Sequence, residues 1–229
     1  CQTAFGSFQS EWQQVIVIIS VISMLIGAFA GIWQKNIKRL LAYSSIGHIG
    51  YALVGVAAIG HEGASAVLTY FVIYILNSIG VFAVILSLSV RDKMGDGGIE
   101  KISHFAGLYK TSPKTAILMT ALLVSFIGLP IPPFPGFWGK FYVFSAAVEQ
   151  GLYALAVIGV VSSVIAAYYY LYIIKVMYFD KPEDKVVVDS RYDANAVSAI
   201  IAVTLLNLAI FIKPELLVKA ANLAASSLF

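Results

Sequence analysis

The chain has 229 residues, of which 60% are hydrophobic and only 12% charged, with a mean hydropathy of +0.88 and a formal net charge of +3. This composition excludes a soluble globular domain and describes an integral membrane protein with the lipid bilayer as its surroundings. The basic residues are dispersed among loops without interleaved stacking aromatics, so nucleic acid is not an expected partner, and the single cysteine, Cys1, excludes a disulfide framework or a cysteine-ligated metal within the chain.

The chain does not begin with Met and shows no basic n-region with a cleavage site, so it is expected to begin within a longer protein. Residues 1–14 form a short polar lead with Glu11, and 15–33 are a first apolar run of spanning length. A basic turn at 34–40, QKNIKRL, precedes a second span over 41–59 that carries Ser44, Ser45, His48 and Tyr51. A tight turn at 60–63 leads into a third span, 64–90, whose Tyr70, Tyr74, Asn77 and Ser78 share one helix face. The longest polar loop, 91–113, contains a DGG turn at Asp96 to Gly98.

The next stretch, FIGLPIPPFPGFWGKFY at 126–142, organises the rest of the chain. Apolar sequence continues on both sides of it, far longer than the roughly 30 Å hydrocarbon core requires of a straight helix. Pro130, Pro132, Pro133 and Pro135 each lack an N–H and disfavour helix before them, and Gly128 and Gly136 loosen the flanks. The expected structure is one discontinuous span made of half-helices at about 114–127 and 137–149. Unwound backbone at membrane depth is tolerated where protein buries it or where it lines a wet cavity, and broken helices are where transporters place ion sites. Lys140 follows the break among Phe137, Trp138, Phe141 and Phe144 with no acidic residue nearby in sequence. An ammonium there is a functional candidate; the alternative is a lysine that snorkels to the headgroups.

A fifth span, 151–179, ends in tyrosines (Tyr168, Tyr169, Tyr170, Tyr172 and Tyr178) placed as an aromatic belt at the interface. A mixed-charge loop at 180–193, a sixth span at 194–212 and an apolar tail at 213–229, read as an interfacial helix, complete the chain.

Charge bias tests the count. Of the fifteen Lys and Arg, Lys35, Lys38 and Arg39, then Arg91, Lys93, Lys101, Lys110 and Lys114, then Lys175, Lys181, Lys185 and Arg191 fall on one side if the broken segment crosses once, leaving Lys213 and Lys219 opposite. The rule that basic loops face the cytoplasm therefore favours a single discontinuous crossing, with both chain ends on the other side.

His48 lies on a stripe with Ser44 and Tyr51 and is competent to relay protons, its ordinary pKa being near 6.5, or to serve as a packing hydrogen bond. The Tyr70, Tyr74, Asn77 and Ser78 face is equally open to a reading as helix glue. Together, three spans with narrow polar seams, two of them carrying a titratable nitrogen, suit a hydrated proton path. No Walker A, GxGxxG, HExxH or cysteine cluster is present, so redox or hydrolytic chemistry is expected of partners.

The blocks KNIKRLLAYSSIGHIGY at 35–51, IPPFPGFWGKFYVFSAAV around Lys140 and SSVIAAYYYLYIIKVMYF at the end of the fifth span resemble the subunit N family of proton-translocating NADH:quinone oxidoreductase, respiratory complex I, whose mitochondrial counterpart is subunit 2. The family is antiporter-like and related to the Mrp cation/proton antiporters. The resemblance covers essentially the whole chain and implies an all-α polytopic membrane protein. It has about six transmembrane spans, one a proline-broken discontinuous helix, and corresponds to the second antiporter-like repeat plus the last helix. On this reading 1–14 is a polar lead, 15–179 the five-helix repeat (helices 9–13 of the family), 180–193 a polar loop and 194–229 the final helix and tail.

The resemblance further implies that Lys140 is the helix 12 lysine ending a chain of buried charges towards the outer half-channel. It makes His48 a helix 10 histidine of the central polar axis, and Ser44, Tyr51, Tyr70, Tyr74, Asn77 and Ser78 become supporting path residues. It implies proton translocation as a complex I membrane-arm subunit beside neighbouring antiporter-like subunits, in a bacterial inner membrane or, alternatively, a mitochondrial one. No cofactor or metal is implied in this chain: NADH, FMN, iron–sulfur clusters and quinone are used by partner subunits. The alternatives are an Mrp-type cation/proton antiporter subunit and a non-pumping structural subunit. The chain departs from the family at Pro130 and Pro135, which are expected to stiffen the break and narrow local hydration. It also has tyrosines and Asn77 where relatives often carry histidine and lysine in helix 11. The family's buried helix 5 glutamate and helix 7 and 8 lysines belong to a first half outside this chain.

Overall fold

The computed structural model describes residues 8–92, 95–131, 134–182, 187–190 and 194–227. Its helices are α1 (Gln9–Ile32), α2 (Ile37–Ala57), α3 (His61–Ser87), a short α4 (Leu108–Thr111), α5 (Pro113–Ile127), α6 (Gly136–Glu149), α7 (Tyr153–Phe179), α8 (Ala194–Ile212) and α9 (Pro214–Ser226); the strands are β1 (Leu88–Asp92), β2 (Gly95–Gly98) and β3 (Val187–Ser190). α1, α2, α3 and α7 are each long and apolar enough to cross a membrane, and α8 with α9 adds a fifth crossing when that bent pair counts as one. α5 and α6, of 15 and 14 residues, are too short singly and form the discontinuous sixth. The half-helix bounds follow from the sequence chemistry: Pro113 opens α5 at a position where its missing N–H is not needed, and Gly128, in the left-handed region at φ +81°, closes it.

Several boundaries differ from the sequence reading. α1 begins at Gln9, inside the polar lead. α2 begins at Ile37, inside the basic turn, because the Asn36 side chain accepts the Lys38 and Arg39 N–H groups at 2.9 and 3.2 Å. α3 stops at Ser87, and the chain turns into a small antiparallel sheet of order β2-β1-β3 that the helical reading did not include. Asp96 to Gly98, read as a turn, are paired strand residues: Arg91 opposes Asp96 and Val90 opposes Gly97. α9 leaves α8 at 90°.

The sheet reports topology. β1 pairs with β3, Leu88 opposite Ser190, so the loops after α3 and after α7 meet at one end of the bundle. The basic turn joins them there: Asn36 bridges Lys101, the Ile37 N–H donates to Glu100 O at 2.7 Å, and the Ile102 N–H donates to Lys35 O at 2.9 Å. Between the second and third of these loops the chain passes through α5, α6 and α7, which returns it to the same end only if α5 and α6 make one crossing. The opposite end is closed by α9, where the His61 Nε2–H donates to Asn222 O at 3.0 Å and contacts Ser226 Oγ at 2.9 Å.

The interior has three levels. One buried apolar cluster lies towards the basic end (Ile37, Leu40, Val84, Phe105, Leu123, Ile173 and neighbours) and another towards the α9 end (Tyr51, Val54, Ala57, Ala66, Val143, Leu155 and neighbours). Between them in α2, α3 and α7 fall Ser44 and His48, Asn77, and Ser162 and Ser163, all buried. The outward faces carry Ile18, Ile22 and Phe29 of α1 and Val157, Val161 and Val164 of α7, exposed as lipid- or subunit-facing surfaces are.

Candidate functional site

The site is built on the helix break. The last carbonyls of α5 have no N–H partner further along the helix and carry the negative end of its dipole. Lys140, four residues into α6, fills that position: its Nζ donates to Phe126 O at 3.0 Å, to Ile127 O at 2.8 Å and to Ser163 Oγ of α7 at 2.6 Å. These three acceptors match the three hydrogens of an ammonium. The Tyr51 ring adds a cation–π contact, with Nζ 4.9 Å from its centroid. Lys140 is 7% exposed, so it is held inward and does not snorkel.

The acceptors differ in kind. Two are carbonyls, which only accept. The third is a hydroxyl, which accepts from an ammonium and donates to the lone pair of a neutral amine; Ser163 also lies 3.4 Å from Ile127 O, a second place for its hydrogen. The nest therefore satisfies the lysine in both protonation states.

His48 stands across a small cavity from this nest. Its Nδ1 pairs with Tyr70 OH at 2.6 Å and its Nε2 with Tyr170 OH at 3.1 Å. Tyr170 OH also hydrogen-bonds Ser44 Oγ. A neutral imidazole offers one donor and one acceptor, so one tyrosine must donate to it and the other accept, and reversing the tautomer reverses both. His48, Tyr70, Tyr74, Asn77, Ser125, Gly136 and Lys140 line a cavity of about 10 Å³, at the lower bound of what holds one water.

Most of the residues singled out in the sequence converge here. Tyr51 contacts Lys140 and lies 3.4 Å from Ser162 Oγ; Tyr74 OH donates to Ser45 Oγ at 2.8 Å; Asn77 Nδ2 donates to Ser125 Oγ at 2.9 Å. Ser78 is half-buried beside a second cavity of about 10 Å³ with Ser44, Ser45 and Tyr74. In the break itself Pro130 is exposed and Pro135 buried; Pro132 and Pro133 lie outside the described residues. Among the described residues no three His, Cys, Asp or Glu side chains gather as a metal site.

The aromatic-belt reading of α7 needs correction. Tyr168 and Tyr172, four residues apart, are exposed, but Tyr169 and Tyr170 are 3% and 1% exposed and point into the bundle, because helical spacing puts them on the face of Ile173 and Met177. Tyr170 is a site residue that the sequence reading assigned to the interface. Ser125, Ser162, Ser163 and Asn207 were also missed. The available signal was Ser163 and Tyr170 seven residues apart on one face, and a lone amide, Asn207, in an apolar run.

Residues 2–166 match the family model described as NADH:quinone oxidoreductase/Mrp antiporter, transmembrane. The chain is 48% identical over 225 residues to NADH-quinone oxidoreductase subunit N of Parvibaculum lavamentivorans, covering 98% of this chain and 45% of that protein, and 48% identical over 228 residues to the same subunit of Paramagnetospirillum magneticum, again 98% and 45%. It thus spans about half the length of these relatives. Among solved structures it superposes on a chain of respiratory complex I from Thermus thermophilus with a TM-score of 0.76 at 30% identity, covering 91% of this chain and 45% of that one. A chain of the Mrp complex from Dietzia shares the fold, with a TM-score of 0.79 at 22% identity over 95% of this chain and 47% of that one. The sequence match and the broken-helix architecture agree, and the chain belongs to the NADH:quinone oxidoreductase/Mrp antiporter transmembrane family.

Proposed function

We propose that this chain is the second half of a membrane-arm subunit of a bacterial proton-translocating NADH:quinone oxidoreductase, and that Lys140 and His48 relay protons through it. The 15–179 segment is then the second antiporter-like repeat and 194–229 the final helix and tail. The carrying observation is the Lys140 nest, a buried ammonium seated on the carbonyl end of a half-helix with one reversible hydroxyl partner. Partners are other membrane-arm subunits of the inner membrane, and NADH, FMN, iron–sulfur clusters and quinone belong to those partners.

The proposed transfer uses groups on this chain alone. Positive charge arriving on His48, through its tyrosine partners or the water-sized cavity, repels the Lys140 ammonium across a medium of low dielectric. The ammonium then passes the proton that faced Ser163 to water in the large cleft that Lys140, Ser145, Glu149 and Ser163 line, two of its N–H groups stay on Phe126 O and Ile127 O, and the Ser163 hydroxyl turns to donate to the amine lone pair. When His48 gives up its proton through the water-sized cavity that it shares with Lys140, the Lys140 amine takes that proton up and Ser163 turns back. A permanently charged group at this position holds the charge and transmits nothing.

Lys140→Ala removes the titrating group, and Lys140→Arg keeps a charge that does not deprotonate in proteins. In the assembled complex reconstituted in vesicles, both variants are expected to lower proton pumping and coupled quinone reduction with the subunit still incorporated, and Ser163→Ala to fall between them and wild type. An arginine variant that pumps at the wild-type rate refutes the relay and leaves Lys140 as a cap on α5.

A further inference from the structure

A second polar construction reaches the helix break from the last helix. Asn207 of α8 is 7% exposed and stands, three residues after Thr204, in a largely apolar run. Its Nδ2 donates to Asn77 Oδ1 at 3.2 Å, Asn77 Nδ2 donates to Ser125 Oγ at 2.9 Å, and the same Ser125 oxygen accepts the Gly136 N–H at 3.1 Å. Gly136 is the first residue of α6, and its N–H is one of those a helix start leaves unpaired. Ser125, from the other half-helix, therefore serves as a side-chain cap for α6, and Lys140 follows one turn later.

Asn207 Oδ1 is buried and has no hydrogen-bond partner among the described residues. Such a group is uncommon and calls for an occupant such as an ordered water. Beside it is a cavity of about 100 Å³ lined by Asn77, Ser125, Pro135, Thr204, Asn207 and apolar residues. That volume exceeds the need of one water. Thr204, exposed at the cavity's rim, spends its Oγ1 hydrogen on Ile200 O at 2.8 Å and keeps its lone pairs, so the lining offers two acceptors, the buried Asn207 Oδ1 and the rim Thr204 Oγ1, and one donor, the Ser125 hydroxyl. Those are the two to four partners a buried water requires.

We propose that this cavity is a hydration site built on the Asn207 carbonyl, and that Asn207, acting through Asn77 and Ser125, is a positioning residue that fixes the start of α6 and with it Lys140. The functional half of this inference rests on the relay reading of Lys140; the water does not.

The test uses the assembled complex. In a density map of the unmodified complex fine enough to show ordered water, a water on Asn207 Oδ1 is expected; a protein group seated on that atom overturns the hydration site. In activity, Asn207→Leu fills the volume without polarity, whereas Asn207→Ala leaves space for water to take the place of the amide. Coupled turnover is expected to fall by about tenfold or more in Asn207→Leu, by analogy with misplaced catalytic groups, and less in Asn207→Ala, with Asn207→Ser, which keeps a donor and an acceptor, the least affected. A packing role orders the variants oppositely, and Asn207→Leu equal to or better than Asn207→Ala overturns the positioning role. Impaired Lys140 variants beside a silent Asn207→Leu leave the relay standing and the positioning role fallen; silent Lys140 variants with water on Asn207 remove the relay and the positioning role with it, and leave only the hydration site standing.

Discussion

Gly128→Ala offers a sharp test of the Lys140 nest, because the structure supplies its own control. Gly128 and Gly151 both sit in the left-handed region, at φ +81° and +73°, where an alanine costs about 1–2 kcal/mol in either place. They differ in what a Cβ meets: at Gly151 nothing lies within 4 Å, whereas at Gly128 the Cβ is 2.9 Å from Lys140 Cδ. Ordinary contact begins near 3.4 Å, so the lysine stem must move by about half an ångström. The three hydrogen bonds at 2.6 to 3.0 Å must lengthen or bend to accommodate that shift. A 1 Å misplacement of a reacting group can lower a rate about a hundredfold, so half of that is expected to lower coupled turnover roughly tenfold. Thermal unfolding of the purified complex should report destabilisation in both variants, larger for Gly128→Ala because its Cβ also crowds the lysine, while proton pumping in vesicles should fall only in the first. Equal pumping in the two variants refutes the claim that Lys140 geometry limits transfer.

Two further outcomes follow from the fold. Tyr170→Phe, which removes the hydroxyl shared by His48 and Ser44, is expected to slow pumping several-fold, while Tyr168→Phe, on the exposed face, leaves it unchanged; pumping measurements that fail to separate the two count against the His48 network. Cysteines placed singly at Gly97 and Lys181 should react with an impermeant thiol reagent from the cytoplasmic side and one at Ser226 only from the other; labelling of Gly97 and Lys181 from opposite sides would make the broken segment two crossings.

The elements that the sequence revealed are those whose cause is local. Prolines and glycines between 128 and 136 announce the break, and the half-helices Pro113–Ile127 and Gly136–Glu149 fall within a residue of the expected bounds. The last span was readable to the residue because charged loop and apolar run meet abruptly at Ala194. The Lys140 nest was only half legible: the lysine stands out, but two of its partners are backbone carbonyls, which have no letter in a sequence. Tyr170 was misread because five tyrosines close together look like an interface, and only helical phase separates those facing lipid from those facing His48. Ser125 and Asn207 are single polar residues 48 and 130 positions from Asn77, and nothing local predicts that they meet. The β1–β3 pairing joins strands nearly a hundred residues apart, and VVDS within a charged loop gives little sign of a strand.

The layering of the interior has an electrical consequence. A membrane voltage drops across low-dielectric material; the two apolar clusters are such layers, and under the proposed relay the His48–Lys140 level between them would be the conductor. Carrying a unit charge across the full voltage involves about 2.3 kcal/mol per 100 mV, so a charge resting at mid-depth has traversed roughly half of it, about 1.2 kcal/mol. Its occupancy relative to either aqueous phase then shifts about sevenfold per 100 mV. A charge carrier at this level senses the energised state of the membrane directly, as a plate inside a capacitor does, and thinning either insulating layer short-circuits it.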